Sequence, residues 1–110
     1  MSKNEGLGSA TLFEPYLVEN EEIQYICSVE NQYSQNFVLC LTDVRLFLYE
    51  LKPKRFTVVP IKSINYLCFS PEINFFNAAS SKETGISLIA NSKHTDSLHE
   101  LFRLLTNMVF

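Results

Sequence analysis

From residue 22 onward, apolar and polar positions alternate in a pattern that predicts a run of strands and then one terminal helix. Ile23, Tyr25, Cys27 and Val29 face one way, and Glu22, Gln24, Ser28 and Glu30 mostly the other, as in a half-buried antiparallel strand. Asn31 to Gln35 reads as a polar turn. Two apolar, β-prone runs follow, separated only by Thr42 and Asp43, which predicts a tight hairpin with strands over about residues 36–42 and 44–51. Phe37, Leu39 and Leu41 alternate with Val38 and Cys40, so both faces of that hairpin are apolar enough to be covered.

Lys52-Pro53-Lys54-Arg55 breaks the pattern, since proline fixes φ and three cations require water. Further strands are expected over residues 56–59, 64–69, 73–77 and 85–90, with a loop at 78–84. Seven strands then give way to a helix. Leu98, Leu101, Phe102, Leu105 and Met108 recur at helical spacing on one face, and Ser97 with Glu100 has capping-box spacing, with Thr95 and Asp96 as alternative caps. The helix reaches Phe110 without a stop signal, an expectation that this is the N-terminal module of a longer protein.

Ahead of the strands, Gly6, Gly8, Ser9 and Pro15 interrupt any period, which predicts a flexible N-terminal segment over residues 1–20. Leu12, Phe13, Tyr16 and Leu17 within it form a short apolar brace. One folded domain is expected over residues 21–110, because 110 residues with 46% hydrophobic content suffice for one core and not for two.

A net charge of −3 argues against nucleic acid as a partner, which requires a basic stripe. Cys27, Cys40 and Cys68 lie in apolar or alternating runs without zinc-site spacing, and read as reduced thiols of a cytoplasmic protein. No apolar run approaches the ~20 residues that span a bilayer, the polar start is unlike a secretory signal, and Ser2 excludes N-myristoylation. No pair of residues has the spacing of acid–base or nucleophilic chemistry, so no catalytic residue and no cofactor is expected.

Seven strands followed by one amphipathic helix is the element order of the pleckstrin-homology superfold. Val38-x-x-Leu41-Thr42-Asp43-x-Arg45-Leu46-x-x-Tyr49, followed by Val59-Pro60-Ile61 and Ile64, resembles the hairpin of GRAM domains and of myosin-I-tail pleckstrin-like modules. With Ser70, Ile86-Ser87-Leu88 and the leucine-rich final helix, it is also similar to the N-terminal non-canonical pleckstrin-homology domain of the CARMIL family. The resemblance implies a seven-stranded barrel of two orthogonal antiparallel sheets, one end plugged by the helix. It also implies a non-catalytic protein-interaction or self-association module of a cytoskeletal or membrane-peripheral scaffold, with a protein partner or a second copy as its ligand.

The alternative is weak binding to an anionic phospholipid surface. Phosphoinositide-binding members of the superfold carry cations between the first two strands, whereas residues 29–36 here hold none and one Glu. The candidate lipid contacts are therefore Lys52, Lys54 and Arg55, each contributing about 1 kcal/mol near an anionic membrane. Phe75 and Phe76 are consecutive in one strand, so one of the two is expected outside, and with Leu104 and Val109 they are the candidate protein-docking residues. Residues 65–69 are expected to form an edge able to accept a partner strand. Arg45 is assigned to fixing the hairpin by bonding to backbone or to Asp43, and His94 and His99 to the surface.

Overall fold

A computed structural model describes residues 10–80 and 85–110. The opening glycine-containing stretch and residues 81–84 of the expected loop lie outside the described residues. Seven strands form: β1 (Ile23–Glu30), β2 (Asn36–Thr42), β3 (Arg45–Glu50), β4 (Arg55–Pro60), β5 (Tyr66–Ser70), β6 (Phe75–Ala79) and β7 (Gly85–Ile89). A helix over Thr95–Val109 ends the chain.

The strands make two antiparallel sheets, in the orders β1-β2-β3-β4 and β5-β6-β7. They are not closed into a barrel. One isolated bridge, Asn31 with Ala90, joins the end of β1 to the end of β7. The amide of Asn91 donates to the Glu30 carbonyl at 2.7 Å beside it. Between β4 and β5 a short 3-10 turn, Ile61–Ser63, carries the chain from one sheet to the other with no ladder between the two strands.

The central hairpin pairs Leu41 with Leu46 and Leu39 with Leu48, which places the two-residue loop at Asp43 and Val44, one position later than the pattern suggested. Thr42 causes the shift. Its hydroxyl oxygen accepts from the amides of Val44 and Arg45 at 3.1 and 2.9 Å, so Thr42 ends the strand by wrapping the turn.

A second departure lies in β1. Ile23 pairs with Thr42 and Tyr25 with Leu41, so Gln24 is an extra residue in a bulge. One inserted residue reverses facing, and Ile23 packs on the opposite side from Tyr25, Cys27 and Val29.

The main core lies between the sheets and under the helix. Leu39, Leu41, Leu46, Leu48 and Val59 of the first sheet meet Phe76, Ala78, Ile86 and Leu88 of the second, with Leu98, Leu101 and Leu105 of the helix closing the cluster. The other face of the four-stranded sheet carries a second apolar layer of Val38, Cys40 and Phe47, covered by Phe13. Phe13 is fully buried, its ring 5.5 Å from that of Phe47 and 5.7 Å from that of Phe56. Of the expected brace, Phe13, Leu17 and the Tyr16 ring against Phe56 thus supply a third layer while Leu12 stays exposed, because a sheet apolar on both faces must bury both.

The helix start also differs from the expected capping box. A 3-10 turn, Ser92–His94, precedes it, capped by Asn91. Glu100 instead pairs with Arg103, and the Thr95 hydroxyl donates to the Asn74 side chain at 2.6 Å. β6 runs on through Ala78 and Ala79, which the pattern placed in a loop, and Ile73 lies in the turn before it. The Cβ of Ala79 would lie 2.9 Å from any Cβ built at Gly85, so that register leaves room only for glycine.

Candidate functional site

The strand period decides which aromatic of β6 faces solvent. Phe76 is fully buried in the main core, whereas Phe75 faces outward, half-buried, beside its cross-strand partner Ile89. Phe76 is therefore a core residue, and the expected docking pair reduces to Phe75.

Phe75 lines a groove of about 300 Å³ at the seam between the sheets, together with Tyr33, Phe37, Leu88 and Ile89. One wall is the β1–β2 loop, which Asn31 organises. Its side-chain oxygen accepts from the amides of Tyr33 and Gln35 at 2.9 and 3.0 Å, and its side-chain nitrogen donates to the Gln35 side chain at 2.7 Å. This Asx turn holds Tyr33 outward, 75% exposed, which is unusual for an aromatic on an ordered loop. At the base of the wall, Lys93 pairs with Glu30 at 2.9 Å across the seam.

The opposite side of the same loop faces the candidate lipid contacts. Lys52 lies with Leu51, Ser34, Gln35 and Asn36 around a cavity of about 280 Å³. Lys52 and Lys54 are exposed on the β3–β4 turn, and no ion pair to either is present among the described residues. Arg55 differs. Its guanidinium donates to both oxygens of Glu50, at 3.1 and 3.3 Å, so the turn offers two free cations rather than three.

Leu104 and Val109 are half-buried and pack against the main core, so the helix does not present them freely. The exposed apolar residues of this helix end are Met108 and Phe110. Phe69 of β5 lies against Phe102 and His99, with ring centroids 5.9 and 6.1 Å apart, so the helix flanks the expected strand edge. His99 is exposed as expected. His94 is half-buried, and its Nε2 is buried without a hydrogen-bond partner. Burial there, reinforced by neighbouring Lys93, lowers its pKa from the usual value.

At the other end of β2, Arg45 fixes the hairpin through a backbone carbonyl and Glu21, while the expected acid, Asp43, instead accepts from the Glu22 amide. Its Nε donates to Glu21 Oε2 at 3.0 Å and its Nη2 to Glu21 Oε1, while the same Nη2 reaches the Tyr16 carbonyl at 2.8 Å. The Glu21 side chain is wholly buried. Arg45, with help from the Thr42 hydroxyl and the Val18 amide, holds that carboxyl down to about 2 against the opposing effect of burial.

Beside this pair is a larger cavity of about 690 Å³, lined mainly by Val18, Val44, Pro60, Ile61 and Met108. No sequence signal marked it, because its lining comes from four separated segments. Among the described residues, no cluster of three or more His, Cys, Asp or Glu is placed to hold a metal ion. No helix there is long and apolar enough to cross a membrane. No family model, curated protein or solved structure matches this chain.

Proposed function

We propose that this chain is a non-catalytic interaction module of pleckstrin-homology-like architecture, which serves a cytoplasmic, cytoskeletal or membrane-peripheral scaffold through protein contacts and self-association. Four strands, three strands and a terminal helix, in that order, support the architectural part. The groove at the seam carries the functional part. Tyr33, Phe75 and Ile89 present apolar surface around a concavity whose walls are fixed by the Asn31 turn and by strand pairing. A groove lined by Tyr33, Phe37, Phe75 and Ile89 and by polar Asn31, Gln32 and Ser87 suits a protein segment that inserts a large side chain and hydrogen-bonds beside it.

Selection of peptides from a random library on the folded chain tests this reading. Enriched peptides are expected to share an apolar anchor and to lose most of their affinity to Tyr33→Ala and Phe75→Ser. Failure to enrich any, or binding indifferent to both substitutions, contradicts it.

Weak attachment to an anionic bilayer is the second reading, favoured by the unpaired ammonium groups of Lys52 and Lys54 beside exposed Leu51. Two cations contribute about 2 kcal/mol at such a surface, short of what holds a monomer there, so this contact acts only alongside another anchor. Sedimentation with anionic liposomes, compared with Lys52→Gln/Lys54→Gln, measures it.

A further inference from the structure

The seam groove follows the edge of β7 rather than one face of it. Ser87 and Ile89 turn their side chains outward and Leu88 buries its own in the core, yet all three line the hollow. β7 is the last strand of its sheet, so one side of its backbone has no ladder partner. The Ala90 amide donates to the Asn74 carbonyl at 3.0 Å, which sets the alternation. Leu88 and Ile86 direct their backbone groups to β6, and Ile89, Ser87 and Gly85 direct theirs outward. The bridge of Asn31 with Ala90 closes that edge at one end only. Among the described residues, no other element bonds to the backbone of Ser87.

The other edges are guarded. β4 carries Arg55 and Pro60, β1 is bulged at Gln24, and β5 is flanked by the helix through Phe69 and Phe102. β7, Gly-Ile-Ser-Leu-Ile, has no charge, proline or bulge. Tyr33 of the β1–β2 loop and Phe37 of β2 line the same hollow, which leaves a slot for one extended chain and not for the edge of a folded sheet.

We propose that the ligand of this groove is an extended, acidic segment of another protein, which adds to the outer edge of β7 at Ser87 and sets one large apolar side chain between Tyr33 and Phe75. The inference rests on the groove reading proposed above and names its partner class. Strand addition supplies backbone bonds along the edge, while the hollow reads one side chain. Charge selects the segment further. No charged side chain lines the groove, and neighbouring Glu30 is paired with Lys93. Lys52 borders the far side of the β1–β2 loop, and neither it nor Lys54 on the same turn has an ion pair among the described residues. An acidic residue beside the apolar anchor is therefore favoured.

Peptides selected on the folded chain are the probe, their affinities measured by fluorescence anisotropy. Enriched peptides are expected to carry Asp or Glu beside the anchor and to bind about threefold more weakly to Lys52→Gln/Lys54→Gln. N-methylation at alternate peptide residues should weaken binding about tenfold, and methylation between them should not. Ser87→Pro removes an outward amide at an edge position that tolerates proline, so it should weaken binding likewise with an unchanged circular dichroism spectrum, whereas Ser87→Ala should not. Peptides that need Tyr33 and Phe75 yet are indifferent to Ser87→Pro and to backbone methylation overturn strand addition and leave the groove reading standing. Enriched peptides without acidic residues overturn the charge preference. An empty selection overturns the groove reading and this inference together.

Discussion

The guanidinium of Arg45 grips the carboxylate of Glu21 through two nitrogens, and this pair ties the N-terminal segment to the central hairpin. Arg45 stacks over the Phe47 ring at 4.8 Å and also binds the Tyr16 carbonyl, so one side chain reaches three parts of the fold. Removing one partner leaves a buried carboxylate uncompensated. Arg45→Met is expected to cost about 3 kcal/mol in urea unfolding, and Glu21→Gln/Arg45→Met less than the sum of the two single changes.

The same pair sets an acid limit. Glu21 titrates near 4.5 when unfolded and about 2 when folded. Its depressed value means that its contribution is complete above 4.5 and is lost as pH falls through about 2, a total on the order of 3 kcal/mol. His94 acts in the same direction at higher pH. Its pKa is lowered in the fold by burial, so stability begins to fall below the ordinary value of 6.5. Urea midpoints measured across pH should decline in two stages, and Glu21→Gln should flatten the lower one.

Phe13 decides whether the N-terminal segment belongs to the folded unit. A fully buried ring truncated to alanine is expected to cost about 3 kcal/mol or more, against a few tenths for Leu12→Ala at a partly exposed position. Equal and negligible effects in thermal unfolding would mean that the outer face of the sheet needs no cover.

Thiol reactivity distinguishes the three cysteines. Burial pushes both Cys27 and Cys40 up to about 12, and the two sit on opposite faces of the sheet, whereas Cys68 is only half-buried. An aromatic disulfide reagent at pH 8 should label Cys68 first, and Cys27 and Cys40 only on unfolding. Rapid labelling of all three in the native state would contradict the double-layered sheet.

Most of the strand order was legible because period-two alternation is a local signal. Phe37 to Leu41 reads correctly as apolar on both faces. The sequence could not place the bulge at Gln24, since one inserted residue costs nothing in pattern yet reverses the facing of Ile23. It could say that one of Phe75 and Phe76 faces solvent, and only pairing with Ile89 and Leu88 decided which. Arg45 was marked, but its partner Glu21 lies far away in the chain, beyond the reach of spacing arguments. The seam groove and the larger cavity were invisible for the same reason, each being assembled from distant segments.

Docking of a protein segment at the seam groove is the claim most open to direct test, by amide chemical shifts recorded as a library-selected peptide is added up to about 1 mM, a range that covers weak binding. Shifts confined to residues around Tyr33, Phe37, Phe75 and Ile89 are expected, with β3 and the terminal helix unmoved. Spectra that do not change with added peptide, or changes centred away from that groove, would contradict it.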